Sequence, residues 1–168
     1  MQVGFIVHQL AFLEPLIGHA QAGIAVGVLA VMALLGRLAL GGVIDRLDQR
    51  LATALSLASQ AGAIFAVTQV TDTTWLIIAC AVFGLSVGNV VTLPSLIYQR
   101  EFEAASFGLL VGLSTAICQI VYAMGPGLIG VLRDATGGFT LPFWMCALLD
   151  LVAAGIILAG RPKGASAP

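Results

Sequence analysis

Charge is what this sequence has least of. Lys, Arg, Asp and Glu make up 9% of its 168 residues, against about 25% in an average soluble domain. Seven basic and eight acidic side chains cannot cover the surface of a water-exposed globule of this length, so a soluble fold is excluded. A net charge of −1 also excludes the basic surface that nucleic-acid binding needs. Cysteine is sparse and unpatterned. Cys80, Cys118 and Cys146 sit singly inside apolar runs, without metal-ligand spacing, and read as small buried hydrophobes. No basic stretch or small-residue cleavage site follows Met1, so the first segment is expected to stay in the mature protein. Phosphate loops, metal clusters and dinucleotide fingerprints are missing too, and neither a cofactor nor an enzymatic activity is expected.

What fills the chain instead is apolar: 60% of residues, with a mean hydropathy of +1.06 and 20 glycines. Most of the charges fall in short clusters: Asp45, Arg46, Asp48 and Arg50; Asp72; Arg100, Glu101 and Glu103; Arg133 and Asp134; Arg161 and Lys163. Between them run stretches of about 20 or more residues, the length a helix needs to cross the hydrocarbon layer. Backbone groups in lipid must bond within their own segment, and the runs lack the alternation of a barrel strand. The expected fold is therefore all-α and integral to the membrane. Residues 1–168 form one domain, with spans at about 1–17, 21–44, 51–70, 74–99, 106–132 and 141–160. Short connections make consecutive helices antiparallel. Arg46, Arg50, Arg100, Arg161 and Lys163 fall on one side and only Arg133 on the other, which places the C-terminus in the cytoplasm. The first span is short and starts without a charged anchor, as though part of the helix were missing upstream.

Glycines recur at spacing four in three spans: Gly23 and Gly27, Gly84 and Gly88, Gly108 and Gly112. Such pairs let helix backbones approach closely in lipid; a substrate-lining surface is the other use for them. Gly84-Leu85-Ser86-Val87-Gly88 also fits the pattern of a hydrolase nucleophile elbow. That elbow needs a strained strand-to-helix turn, and here the pentapeptide lies inside a continuous apolar run.

The loop after the second span reads Gly41-Gly42-Val43-Ile44-Asp45-Arg46-Leu47-Asp48-Gln49-Arg50. It resembles the cytoplasmic loop motif of the major facilitator superfamily: a glycine, Asp-Arg, another glycine and a basic pair. Gly41, Asp45, Arg46 and Arg50 match, while Asp48 replaces the second glycine and Gln49 the first basic residue. Gly125-Pro126-Gly127-Leu128-Ile129-Gly130, followed by Arg133-Asp134-Ala135-Thr136-Gly137-Gly138-Phe139, is similar to the eleventh helix and following loop of many such transporters. A kink is expected there, because Pro126 removes a backbone donor. Six spans with both ends cytoplasmic resemble the C-terminal half of that fold, helices seven to twelve.

The resemblance implies a transporter of a small solute working by alternating access, in the plasma membrane, a bacterial inner membrane by preference. Its partners would be the lipid bilayer, the solute, and a missing N-terminal six-helix half or a second copy, since substrate binds between two halves. In the family the motif's Asp meets a helix start of the opposite half; Asp45 either does so or forms a simple tight turn with Arg46. The other function class open to the sequence is a six-helix membrane interaction or assembly protein that transports nothing.

Three charges remain inside spans, where ionisable groups are costly and suggest function: Glu14, Arg37 and Asp150. Arg37 matches a functional arginine on the eighth helix of monocarboxylate and oxalate transporters, which implies an organic-anion substrate. A guanidinium donates two parallel bonds to a carboxylate and keeps its charge. The monocarboxylate pattern has an acid four residues earlier, where this chain has Ala33. Arg37 could equally reach the headgroups. Glu14 reads as a wetted helix end, and Asp150 as structural rather than transporting. His8, Asn89, Gln119 and Tyr122 are the remaining candidates for a cavity lining, with interhelical hydrogen bonding as their alternative role.

Overall fold

The charge clusters punctuate the fold. In a computed structural model that describes residues 2–43, 47–101 and 104–160, the apolar stretches are α-helical, the one before the first cluster forming two helices. The helices are α1 (Gln2–Ile17), α2 (His19–Val43), α3 (Gln49–Gln69), α4 (Thr73–Glu101), α5 (Ala104–Thr136) and α6 (Thr140–Ala159). No strand occurs among the described residues. Five helices, α2 to α6, are long and apolar enough to cross a membrane; α1 is apolar but shorter. This architecture is compatible with an all-α membrane protein. At 16 residues, α1 is about 24 Å long.

Turns are made by few residues with definite jobs. Gly18 alone separates α1 from α2; its φ of 79° is the left-handed conformation that reverses the chain without a Cβ clash. Asp48 ends the second connection by capping α3: its carboxylate accepts from the backbone N–H of Arg50 and Leu51 at 3.0 and 3.1 Å. The residue that departs from the family's glycine thus satisfies two orphan donors of the next helix. Asp48→Ala is expected to cost about 1 kcal/mol, read as a lower unfolding midpoint in detergent with the helix content of the folded state unchanged. Asp72 caps α4 in the same way, through the N–H groups of Thr74 and Trp75. At the end of α5 the helix runs through Arg133 and Asp134 and stops only at Gly137, φ 74°. The expectation of a loop from Arg133 onward is corrected accordingly: a charge lowers hydropathy but does not break a helix.

Packing is uneven. α2 lies against α4, and α3 lies against both α4 and α6; α1 touches α5 and α2, while α5 makes lighter contact with α4 and α6. The core is built where α1, α4 and α6 meet. Phe5, Phe83 and Phe143 have no exposed surface, and the Phe5 ring sits 4.5 Å from Phe83 and 4.9 Å from Phe143. Tilted and edge-on aromatic pairs of this kind hold helices together by dispersion and quadrupole geometry.

The α2–α4 crossing depends on glycine. A Cβ on Gly36 would strike the backbone of Leu85, one on Gly84 the backbone of Leu29, and one on Gly88 the backbone of Ala33. At Gly23, Gly27, Gly108 and Gly112, in contrast, nothing lies within 4 Å. Of the three spaced-glycine pairs, one is used for packing inside the chain and two face outward.

Candidate functional site

Arg37 and the outward glycines share one surface. Along α2, Gly23, Ala30 and Arg37 recur at intervals of seven, two helical turns, and all three are exposed, as is Gly41 one turn beyond Arg37. One position round, Ile24, Val31 and Leu38 form a second exposed row of bulky side chains. The helix therefore shows solvent or lipid a face of mostly small residues, interrupted by the exposed Leu34, that carries a guanidinium and, beside it, a greasy ridge. Arg37 makes no hydrogen bond or ion pair among the described residues.

α5 repeats the design. Gly108, Gly112, Thr115, Gln119, Tyr122 and Pro126 follow the four-and-three spacing of one helix face. The first four are exposed and the last two half-buried. Leu109, Leu113, Ile117, Ile120, Met124 and Leu128 make the opposite, bulky row, all exposed. Among described side chains of α5 only Gly125 and Ile129 are buried. Cys118 is exposed as well, which corrects the expectation that all three cysteines are buried; Cys80 and Cys146 are.

Two of the expected cavity residues lie elsewhere. His8 spans the α1–α5 contact, where its Nε2 donates to the Pro126 carbonyl at 3.0 Å. A carbonyl can only accept, so the imidazole carries its proton on Nε2 in this contact. The Gly-Pro-Gly segment is a docking point: α5 is continuous through Pro126, and a Cβ on Gly125 would lie 3.6 Å from the Gly4 backbone nitrogen. Gly127 is exposed. Asn89 faces α3, with its Nδ2 3.5 Å from Ser56 Oγ. It belongs to a polar seam in which Ser59 and Ser86 also bond, at 2.7 Å. The structure thus groups Gln119 and Tyr122 on one stripe, puts Arg37 on the stripe of another helix, and assigns His8 and Asn89 to helix interfaces. Ser86, the would-be nucleophile, is buried in that seam and also bonds Val82 O.

Of the loop motif, Asp45 and Arg46 lie outside the described residues, as do Arg161 and Lys163 of the tail. Gly41 is exposed with open space around it. Arg50 donates from Nη1 to the Gly160 carbonyl at 2.9 Å, tying the start of α3 to the C-terminal end of α6, where a cation complements the helix dipole. Glu14 pairs with His19 at 3.0 Å, both exposed, at the α1–α2 turn.

Sequence reasoning missed the buried glutamines. Gln9 and Gln60 have no exposed surface and Gln2 only 7%. Gln2 Nε2 donates to Gln60 Oε1 at 3.1 Å, and Gln9 Nε2 approaches Cys80 Sγ at 3.4 Å. An amide in the middle of a 20-residue apolar run was the available signal. An apolar groove of about 410 Å³ between α3 and α6, lined by Ala61, Gly62, Phe65, Trp144, Ala147 and Leu148 among others, offers a polar solute nothing to bind.

No protein-family model matches the chain, and no curated protein matches it in sequence.

Proposed function

We propose that the chain is the C-terminal six-helix half of a major facilitator transporter, moving a small organic anion such as a monocarboxylate by alternating access. The observation that carries this reading is Arg37: an exposed guanidinium without a partner among the described residues, on a face where Gly23, Gly27, Ala30 and Gly41 are small and Leu34 is not, in a helix otherwise fit for lipid. A cation at that cost is retained for something that approaches it, and a carboxylate fits its fork.

The contact pattern supports the same reading. Exchanging α1, α2 and α3 for α4, α5 and α6 turns the α2–α4 contact into α1–α5, α1–α2 into α4–α5 and α3–α4 into α1–α6, and leaves α3–α6 unchanged; each of these contacts is present, while α5–α6 has no matching α2–α3 contact of similar extent. Helices three apart in an antiparallel series run in opposite directions, so the relation is inverted, as in the nested repeats of such transporters. Under it α2 and α5, the two striped helices, are counterparts. Arg37 and Gln119 would face a solute from either side, and the stripes would line the path against an N-terminal half. The C-terminus would lie in the cytoplasm of a bacterial plasma membrane, and the function would be transport, not catalysis.

One observation favours a second reading, a membrane assembly protein without transport: the outward pairs Gly23/Gly27 and Gly108/Gly112 are the kind of surface on which helices dimerise. Uptake separates the two. Purified chain in proteoliposomes is expected to show no saturable carboxylate uptake, and co-expression with a six-helix N-terminal half is expected to give it. Saturable uptake by the chain alone, or none in combination, would overturn the half-transporter reading.

A further inference from the structure

Asp150 is the one charged residue that is buried among the described residues, at 6% exposure, half-way along α6. Its Oδ2 has no hydrogen-bond partner. α3 runs antiparallel against this helix. Trp144 Nε1 donates to Thr68 Oγ1 at one end of the contact, and Ala54 and Leu57 pack against Ala154 toward the other. Between those anchors the register brings position 150 level with Gln60. Gln60 is fully buried; its Oε1 is taken by Gln2, and its own Nε2 has no partner. An acceptor and a donor thus lie at one depth on two packed helices, both out of contact with solvent and neither satisfied.

The described cations of the packed helices lie at the helix ends, away from the depth of Asp150: Arg50 of α3 donates to the Gly160 carbonyl beyond the end of α6, and Arg133 of α5 lies over Phe139 just before its start. Residues 51–69 of α3 and 106–132 of α5 carry no Asp, Glu, Lys or Arg; α1 brings only Glu14, bonded to His19 at its far end, and His8, bonded to Pro126. Arg37 is on α2, which is not among the helices packed on α6. A bare carboxylate is costly at such a place, whereas a neutral carboxyl both accepts from an amide and donates.

We propose that Asp150 is a proton-binding site of the bundle: at neutral pH its carboxyl holds one proton taken from water, oriented by the Gln60 amide. The assignment concerns the chain alone and stands whether or not it transports a solute.

Infrared spectroscopy of the full chain in lipid bilayers tests it. A protonated-carboxyl stretch is expected at neutral pH that shifts in heavy water, disappears in Asp150→Asn, moves in Gln60→Leu and persists in Asp134→Asn. If Asp150→Asn does not fold, isotope-labelled aspartate in the unaltered chain assigns the band to an aspartic acid, and its displacement in Gln60→Leu assigns it to this one. Absence of the stretch at neutral pH, meaning an ionised carboxylate, overturns the proposal. So does a stretch that vanishes when sodium replaces choline, which would make the occupant a metal cation.

Discussion

Gly88→Leu is expected to destabilise the folded bundle by ~3 kcal/mol or more, at the upper end of what overpacking costs, and to leave little folded protein in the membrane. The reason is geometric. The atom that a Cβ on Gly88 would meet first is the Ala33 carbonyl oxygen, followed by that residue's carbonyl carbon and Cα, and helix backbone cannot swing aside as a flexible side-chain end can. The smaller change Gly88→Ala gives the more decisive comparison because its sign is opposite to the ordinary rule. In a helix interior, alanine is favoured over glycine by up to about 1 kcal/mol. Gly112→Ala, with open space at its Cβ, should follow that rule and stabilise the isolated chain slightly. Gly88→Ala and Gly84→Ala should destabilise it. Reversible unfolding in mixed micelles reads all three, and a stabilised Gly88→Ala would mean that α2 and α4 do not cross at this glycine.

The contrast between these glycines marks where sequence stops being informative. Spacing alone makes Gly84/Gly88 and Gly108/Gly112 identical, since both are one turn apart in an apolar run. Only the azimuth of each helix decides which pair meets a neighbouring backbone, and with bulky apolar residues all round a span, no amphipathic pattern fixes the azimuth. Helix existence is different. It follows from run length and from charges such as Asp48 and Asp72, which stand where capping carboxylates are needed. The polar candidates divided on the same principle. Gln119 and Tyr122 are three apart and had to share a face, but nothing local to Asn89 pointed to its contact with Ser56, thirty-three residues away. Gln60 escaped notice because it carries no charge and so was not weighed with the ionisable groups inside the spans, although buried it needs partners as strictly as any group in the bundle.

On the proposed half-transporter reading, Arg37→Ala is expected to reduce organic-anion uptake by chain and partner half together at least ~10²-fold, the loss corresponding to one charge-assisted bond of about 3 kcal/mol, while the amount of protein in the membrane stays normal. Both halves of that expectation come from the same geometry. Arg37 is exposed and bonds no described residue, so its removal leaves no buried group unsatisfied and should not disturb folding. For the same reason its charge remains available to a ligand. Arg37→Lys separates two modes of binding: an ammonium keeps the charge but loses the paired parallel donors, so a carboxylate held by both guanidinium bonds should show a higher KM with the lysine, and one merely attracted by charge should not. Gln119→Ala, across on the counterpart helix α5, should have a smaller effect, because a neutral amide contributes a weaker bond than a guanidinium. Uptake unchanged in Arg37→Ala would sink the anion reading and leave Arg37 as a headgroup anchor. Uptake lost together with membrane abundance would place Arg37 in folding, with its partner on a surface that only the assembled protein brings to it.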